Sequence, residues 1–296
     1  FSLFLMMLLM ALQTVNSMLE AILLGARNYK VFNFLKIVVP VVLLASVLVV
    51  LRTGDGWRDA LSMSCAAALT ATPWYVFFSL KELGGVRFRV GAEVFDTYLK
   101  YGLHIWSSNL VTMALYRTPL FIVEHLCPAK DLGLFALANN FSEKIWIPGK
   151  AVATILFPER SSSGRNGGLE ARHVYLILAG NMGMSCLGML TLFSVFYAYG
   201  PIIFGDGYGD VHQVILALLP GIVAWSGVTI LGAELAGLGM SRANFRVSTV
   251  AFLFTLSATL WGAQFGVLGI AAGASVGYIV GLGFAIFLYR RGCRRI

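Results

Sequence analysis

The chain has 296 residues, of which 58% are hydrophobic and only 12% charged, with a mean hydropathy of +0.80. Those values exclude a soluble globular domain, and apolar runs of about 20 residues exclude a porin-type barrel, whose strands alternate apolar and polar over about ten. The net charge of +8 comes with no basic region long enough to form a nucleic-acid-binding domain, so it reads as membrane topology.

A hydrocarbon core takes about 20 residues of helix to cross. The apolar runs predict nine spans, at roughly 2–24, 31–51, 60–80, 102–126, 133–157, 174–198, 212–237, 246–263 and 266–289. Phe1 is not Met, and the first run has no basic residue ahead of it as a signal peptide would, which predicts a truncated N-terminus. The connections after odd-numbered spans hold Arg27, Lys30 and Lys36, then Lys81, Arg87, Arg89 and Lys100, then Arg160, Arg165 and Arg172, then Arg242 and Arg246, and finally Arg290, Arg291, Arg294 and Arg295. The remaining connections hold only Arg52, Arg58 and Lys130. Because Lys and Arg are retained on the cytoplasmic side, this bias predicts a multi-pass protein with a cytoplasmic C-terminus, and the membrane expected is the cell's inner (plasma) membrane.

Residues 81–101 form the longest cytoplasmic linker. Phe88, Val90, Val94, Phe95 and Tyr98 alternate there with Arg87, Arg89, Glu93 and Lys100, the pattern of an amphipathic interfacial segment. It separates three spans in 1–80 from six in 102–296. The turn Leu24-Gly25-Ala26-Arg27-Asn28-Tyr29-Lys30 resembles Leu238-Gly239-Met240-Ser241-Arg242-Ala243-Asn244-Phe245-Arg246, six spans later, as two six-span repeats require.

Charges within spans carry the most information, since a central Arg, Lys or Asp costs about 2.5–3.5 kcal/mol even on insertion scales. Arg117, Glu143, Lys144 and Lys150 are such residues. At about 1.5 Å per residue, Arg117 lies about 22 Å and Glu143 about 21 Å from the cytoplasmic ends of their spans. Two readings stand. Arg117 and Glu143 form a structural pair, or the three cations line a hydrated cavity with a surplus of positive charge that calls for an anion. Asn139 and Asn140 share the fifth span, and Pro148-Gly149 predicts a kink or hinge in it. In the first span Gln13, Asn16, Ser17 and Glu20 form a polar stripe at three- and four-residue steps, facing either further spans or the same cavity. Glu234 and Glu124 lie near span ends and read as solvated.

Gly269, Gly273, Gly277 and Gly281 form a ridge at four-residue spacing, which predicts a close helix contact. His104, His125, His173 and His212 fit no ligand spacing, and no hydrolase, kinase, P-loop or dinucleotide motif occurs. The reading is therefore a non-enzyme without metal or cofactor.

The stretch Asp131-Leu-Gly133-Leu-Phe135-Ala-Leu-Ala138, then Ile147-Pro148, then Thr154-Ile-Leu-Phe157-Pro158-Glu-Arg160-Ser161, resembles the start of the second lobe of polysaccharide and O-antigen flippases of the MATE-like (MOP) exporter superfamily. Phe204-Gly205-Asp-Gly-Tyr208, the Gly237–Gly239 turn and Leu268-Gly269-Ile-Ala-Ala-Gly273 resemble later landmarks of that lobe. The resemblance implies an all-α bundle in which residues 1–80 are half of one lobe and 102–296 a complete second one. It also implies a central cationic cavity that opens to each side in turn, carrying an oligosaccharide on polyprenyl pyrophosphate outward under a sodium or proton gradient, with glycan polymerase or assembly proteins as possible partners. Arg117, Lys144 and Lys150 would then meet the pyrophosphate or acidic sugars, and Asn139, Asn140, Gln13 and Asn16 the sugar hydroxyls. Such flippases often carry an acidic residue before the basic one in the first span of this lobe, where Tyr116 stands here. Glu143, beside two cations, is a poor proton carrier. A lipid II flippase, a multidrug exporter of the same superfamily and a membrane glycan polymerase or ligase are the rival readings.

Overall fold

The computed structural model describes residues 2–26, 28–53, 57–83, 92–163 and 171–293. These are α-helical almost throughout: α1 (Ser2–Gly25), α2 (Tyr29–Thr53), α3 (Trp57–Leu83), α4 (Ala92–Leu126), α5 (Ala129–Lys144), α6 (Ile147–Ser163), α7 (Ala171–Phe204), α8 (Val211–Gly237), α9 (Ser241–Gly262) and α10 (Gly266–Cys293). Five stretches among the described residues are long and apolar enough to cross a membrane, namely Leu3–Gly25, Leu61–Glu82, Arg172–Phe204, Val211–Gly237 and the α9–α10 hairpin, Ser241–Gly292. With the composition, they make this a multi-pass membrane protein.

Two differences from the expected spans matter for the site. The stretch 133–157 is two helices, because α5 ends at Lys144 and α6 begins at Ile147. Pro148 has no N–H to give the Lys144 carbonyl, and its ring crowds that carbonyl. The chain tightens before it: Ile145 N–H bonds the Ser142 carbonyl at 3.1 Å and Trp146 N–H that of Glu143 at 3.3 Å, three residues back instead of four. The second difference is that α4 starts ten residues early, so the end of the linker 81–101 is the first turns of a long helix. Residues 84–91 of that linker lie outside the described residues.

Contacts divide the chain into two units, Phe1–Val90 and Gly91–Ile296. In the first unit, Cys65 Sγ donates to the Leu5 carbonyl and Ser79 Oγ to that of Leu19, both at 3.2 Å, which sets α1 and α3 parallel at a fixed offset. A small apolar cluster of Leu23, Leu35, Ala71 and Tyr75 closes around them.

The second unit is built around α8, which is apolar on all sides and touches α5, α6, α7 and α10. Lipid tails are as apolar as leucine, so apolar contact alone gives helices little reason to associate, and polar side chains and close backbones supply the attraction. Four side chains donate to α8 carbonyls: Ser275 to Ala217 at 2.7 Å, Trp146 to Ile222 at 3.0 Å, Asn181 to Ser226 at 2.9 Å and Asn244 to Gly232 at 2.8 Å. On α10, Gly269, Gly273, Gly277 and Gly281 all face α9. A methyl group at these four positions would run into Gly262, Ala258, Thr255 and Ala251 respectively. Helix α8 ends in a Schellman turn, with Gly239 at φ +74° and Met240 N–H bonding the Leu235 carbonyl at 2.8 Å.

Candidate functional site

The joint between α5 and α6 is the least regular backbone of the second unit, and it is fixed by aromatic packing. Trp146, 1% exposed, lies 5.0 Å from Tyr116 of α4 and 6.2 Å from Tyr278 of α10 between ring centroids. Trp225 of α8 completes the cluster at 5.3 Å from Tyr278 and donates its indole N–H to the Tyr116 hydroxyl. Because Tyr116 meets Trp146, the neighbouring Arg117 is held at the level of the joint. The position where the flippase pattern often has an acid is here a packing residue that anchors α4.

Around this buried cluster the charged residues point outward. Arg117, Lys144 and Lys150 are exposed, and Glu143 is half-buried. Lys150 Nζ stands 5.8 Å over the Trp146 ring. Glu143 accepts from Asn139 Nδ2 at 2.7 Å, one turn back on α5. Among the described residues, neither Arg117, Lys144 nor Lys150 has a carboxylate within ion-pairing distance. The structural Arg117–Glu143 pair is therefore not formed. Asn139 is buried and Asn140 exposed, while Ser142 is fully buried with an unpaired hydroxyl. Pro148 is exposed, whereas Gly149 is buried against α7, where a Cβ would stand 2.9 Å from the Asn181 amide. The cavities of α2–α3, of the first unit's polar stripe, of α4–α9 and of the α8–α9 turn are lined by residues other than Arg117, Lys144 and Lys150.

Gln13 and Asn16 occupy a different site, within the first unit. With Ser17, Glu20, Lys36 and Tyr75 they line a polar cavity of about 210 Å³. Its charges are matched: Lys36 Nζ is 2.7 Å from Glu20 Oε2, and the Tyr75 hydroxyl donates to Glu20 Oε1 at 2.7 Å. Asn16 is 8% exposed, and its side-chain carbonyl has no partner among the described residues.

Sequence reasoning missed two charged pairs, Glu20–Lys36 and one in the second unit. Glu234 is fully buried, not solvated, and lies 3.6 Å from Arg160 Nε at the end of α6, itself 8% exposed. Gly237, one turn on, admits the Arg160 stem, which a Cβ would meet at 2.7 Å. The signal available was the Glu234-x-x-Gly237 spacing, a charge and a gap on one helix face. Outside the spans, burial and then the Asp131 carboxylate push the Cys127 thiol up, which leaves it protonated and unreactive at neutral pH.

No protein-family model matches the chain, and no curated protein matches it either. A solved structure does: the crystal structure of a mutant of the Vibrio cholerae MATE transporter VcmN, at a TM-score of 0.73 and 15% identity, over 95% of this chain. The fold is that of a MATE transporter. This chain spans 66% of the length of the VcmN chain, and at that identity the likeness concerns the MATE-like architecture alone.

Proposed function

We propose that the chain is part of a membrane flippase that moves an anionic, polyprenyl-pyrophosphate-linked oligosaccharide from the cytoplasmic to the outer leaflet by alternating access. The observation that carries this reading is the unmatched positive charge at mid-span: Arg117, Lys144 and Lys150 are exposed around the α5–α6 joint with no carboxylate beside them among the described residues. Exposed cations at that depth are costly against lipid and are favoured against a hydrated path and an anionic cargo. Arg117 offers the forked donors that suit a pyrophosphate, Lys144 and Lys150 add point charge, and the exposed Asn140 would offer hydroxyl contacts, with Asn139 buried behind it on Glu143. Gln13 and Asn16 would contribute from the cavity of the first unit.

On this reading the first unit is the second half of an N-terminal lobe, Gly91–Ile296 is a complete C-terminal lobe, and the basic connections face the cytoplasm. Pro148 and Gly149 form the flexing point, since they follow directly on the interruption at Ile145–Trp146. A sodium or proton gradient would drive transport.

The MATE architecture also fits a multidrug exporter, but cationic drugs favour an acidic path. In cells whose sole copy carries Arg117→Ala, surface glycan is expected to disappear while the protein stays in the membrane at normal level. Normal surface glycan overturns the reading. Lost drug tolerance with intact glycan supports the exporter instead, and a block in cell-wall synthesis supports lipid II as cargo.

A further inference from the structure

The end of the bundle where α8 turns into α9 carries a second concentration of positive charge, remote in sequence from the α5–α6 joint. A cavity of about 530 Å³ opens between this turn and the last turns of α10. Arg242, Arg246 and Arg291 line it, and no acidic residue does among those described. Arg242 bonds His104 at 3.3 Å, whereas Arg246 and Arg291 have no carboxylate partner among the described residues.

Three further features fit an anion. The α9 N-terminus opens onto the cavity, and its N-cap, Met240, supplies no side-chain acceptor; its carbonyl takes the Ala243 N–H at 2.8 Å, which leaves those of Ser241 and Arg242 for an anion. Ser241, 8% exposed, lines the cavity with no hydrogen-bond partner among the described residues, so its hydroxyl is left for an occupant. The cavity floor is fixed: Gly292 of α10 lies against Met240, where a Cβ would stand 3.0 Å from Sδ. The apolar surroundings identify how the anion is presented. Phe287, 54% exposed, sits one turn before Arg291 on the same face of α10, and Leu288 lines the cavity itself.

We infer that this cavity binds the phosphate of an anionic phospholipid, with the headgroup held by Arg242, Arg246, Arg291, Ser241 and the α9 N-terminus, and the acyl chain laid along Phe287. The site is independent of the cargo assigned above. Guanidinium forks and free backbone N–H groups are the donors that phosphate oxygens favour, and basic pockets between membrane helices suit acidic headgroups. A membrane lipid seated here would tie the C-terminal end of α10 to the α8–α9 turn.

The test uses the full chain in neutral detergent. It is titrated with short-chain phosphatidylglycerol, short-chain phosphatidylcholine or inorganic phosphate, with bound lipid counted by native mass spectrometry and stability followed by thermal unfolding. Phosphatidylglycerol is expected to bind and raise the unfolding temperature, and phosphatidylcholine to do neither. In R242Q/R246Q/R291Q the affinity for phosphatidylglycerol falls on the order of a hundredfold, at roughly tenfold or less per removed charge. Stabilisation by inorganic phosphate alone, also lost in the variant, supports the anion site and assigns it to a soluble phosphate. Equal lipid binding by the wild-type chain and the variant overturns the inference. If the triple variant does not fold, R291Q alone decides, because it removes a charge at the exposed end of α10. A several-fold loss in R291Q supports the site, and an unchanged affinity overturns it.

Discussion

The first unit and the α4–α6 region of the second handle charge in the bilayer in opposite ways. In the first, Glu20 meets both Lys36 and the Tyr75 hydroxyl at 2.7 Å, and the polar stripe closes on itself around a small cavity. In the second, Arg117, Lys144 and Lys150 stand exposed around a joint whose interior is aromatic, and the nearby carboxylate is occupied by Asn139. Matched charges hold helices together. Unmatched ones do little for the fold, and on the proposed reading they serve an anionic cargo instead. The Arg160–Glu234 contact, 3.6 Å apart and without a hydrogen bond, shows that the second unit also brings opposite charges together in burial.

That contrast can be broken by mutation. The largest effect is expected at the buried pair: Glu234→Leu strands Arg160 and costs about 3–5 kcal/mol, while the double variant R160M/E234L recovers most of the loss. Thermal unfolding in detergent measures both, and an Arg160-independent loss would show that Glu234 acts through packing instead. Gly277→Val, pressed against Thr255, is expected to cost about 1–3 kcal/mol by overpacking the α9–α10 contact. In the first unit, Tyr75→Phe removes one hydrogen bond to Glu20 and is expected to cost about 1 kcal/mol. The smallest stability effect belongs to the cation face. Arg117→Ala and Lys144→Ala are each expected to stay within about 0.5 kcal/mol of the parent. A loss above about 1 kcal/mol in Arg117→Ala would make that residue a structural partner and erase the difference between the two regions.

Much of this architecture could be read from the chain itself, because continuous apolar runs dictate helices long before any packing is known. The ends of α1, α8 and α10 fall within a few residues of the expected spans, where Gly and basic residues mark them. The early start of α4 escaped notice because Glu93, Asp96 and Lys100 make its first turns too polar to count as span. Pro148-Gly149 announced an interruption, but the break sits just upstream, at Ile145–Trp146, since proline acts on the carbonyl four residues before it. Depth arithmetic brought Arg117 level with the fifth span yet could not show that Tyr116, not Arg117, makes the contact. Tyr116, Trp146, Trp225 and Tyr278 come from four distant parts of the sequence, and only the fold assembles them. Glu234 was misread for a similar reason, since its distance from the end of a helix says nothing about what covers that end.

The α9–α10 ridge bears on how the protein is made. Gly262 and Gly269 bring the two backbones together right beside the short turn Ala263–Phe265, and the contact then runs up the pair at every fourth residue of α10. All of those partners are close neighbours along the chain, so the entropy of closing the hairpin is small. The pair can zip from its turn once both segments have left the ribosome and entered the bilayer. These two helices can therefore arrive as a finished piece, needing only to dock on α4 and α8 to complete the unit.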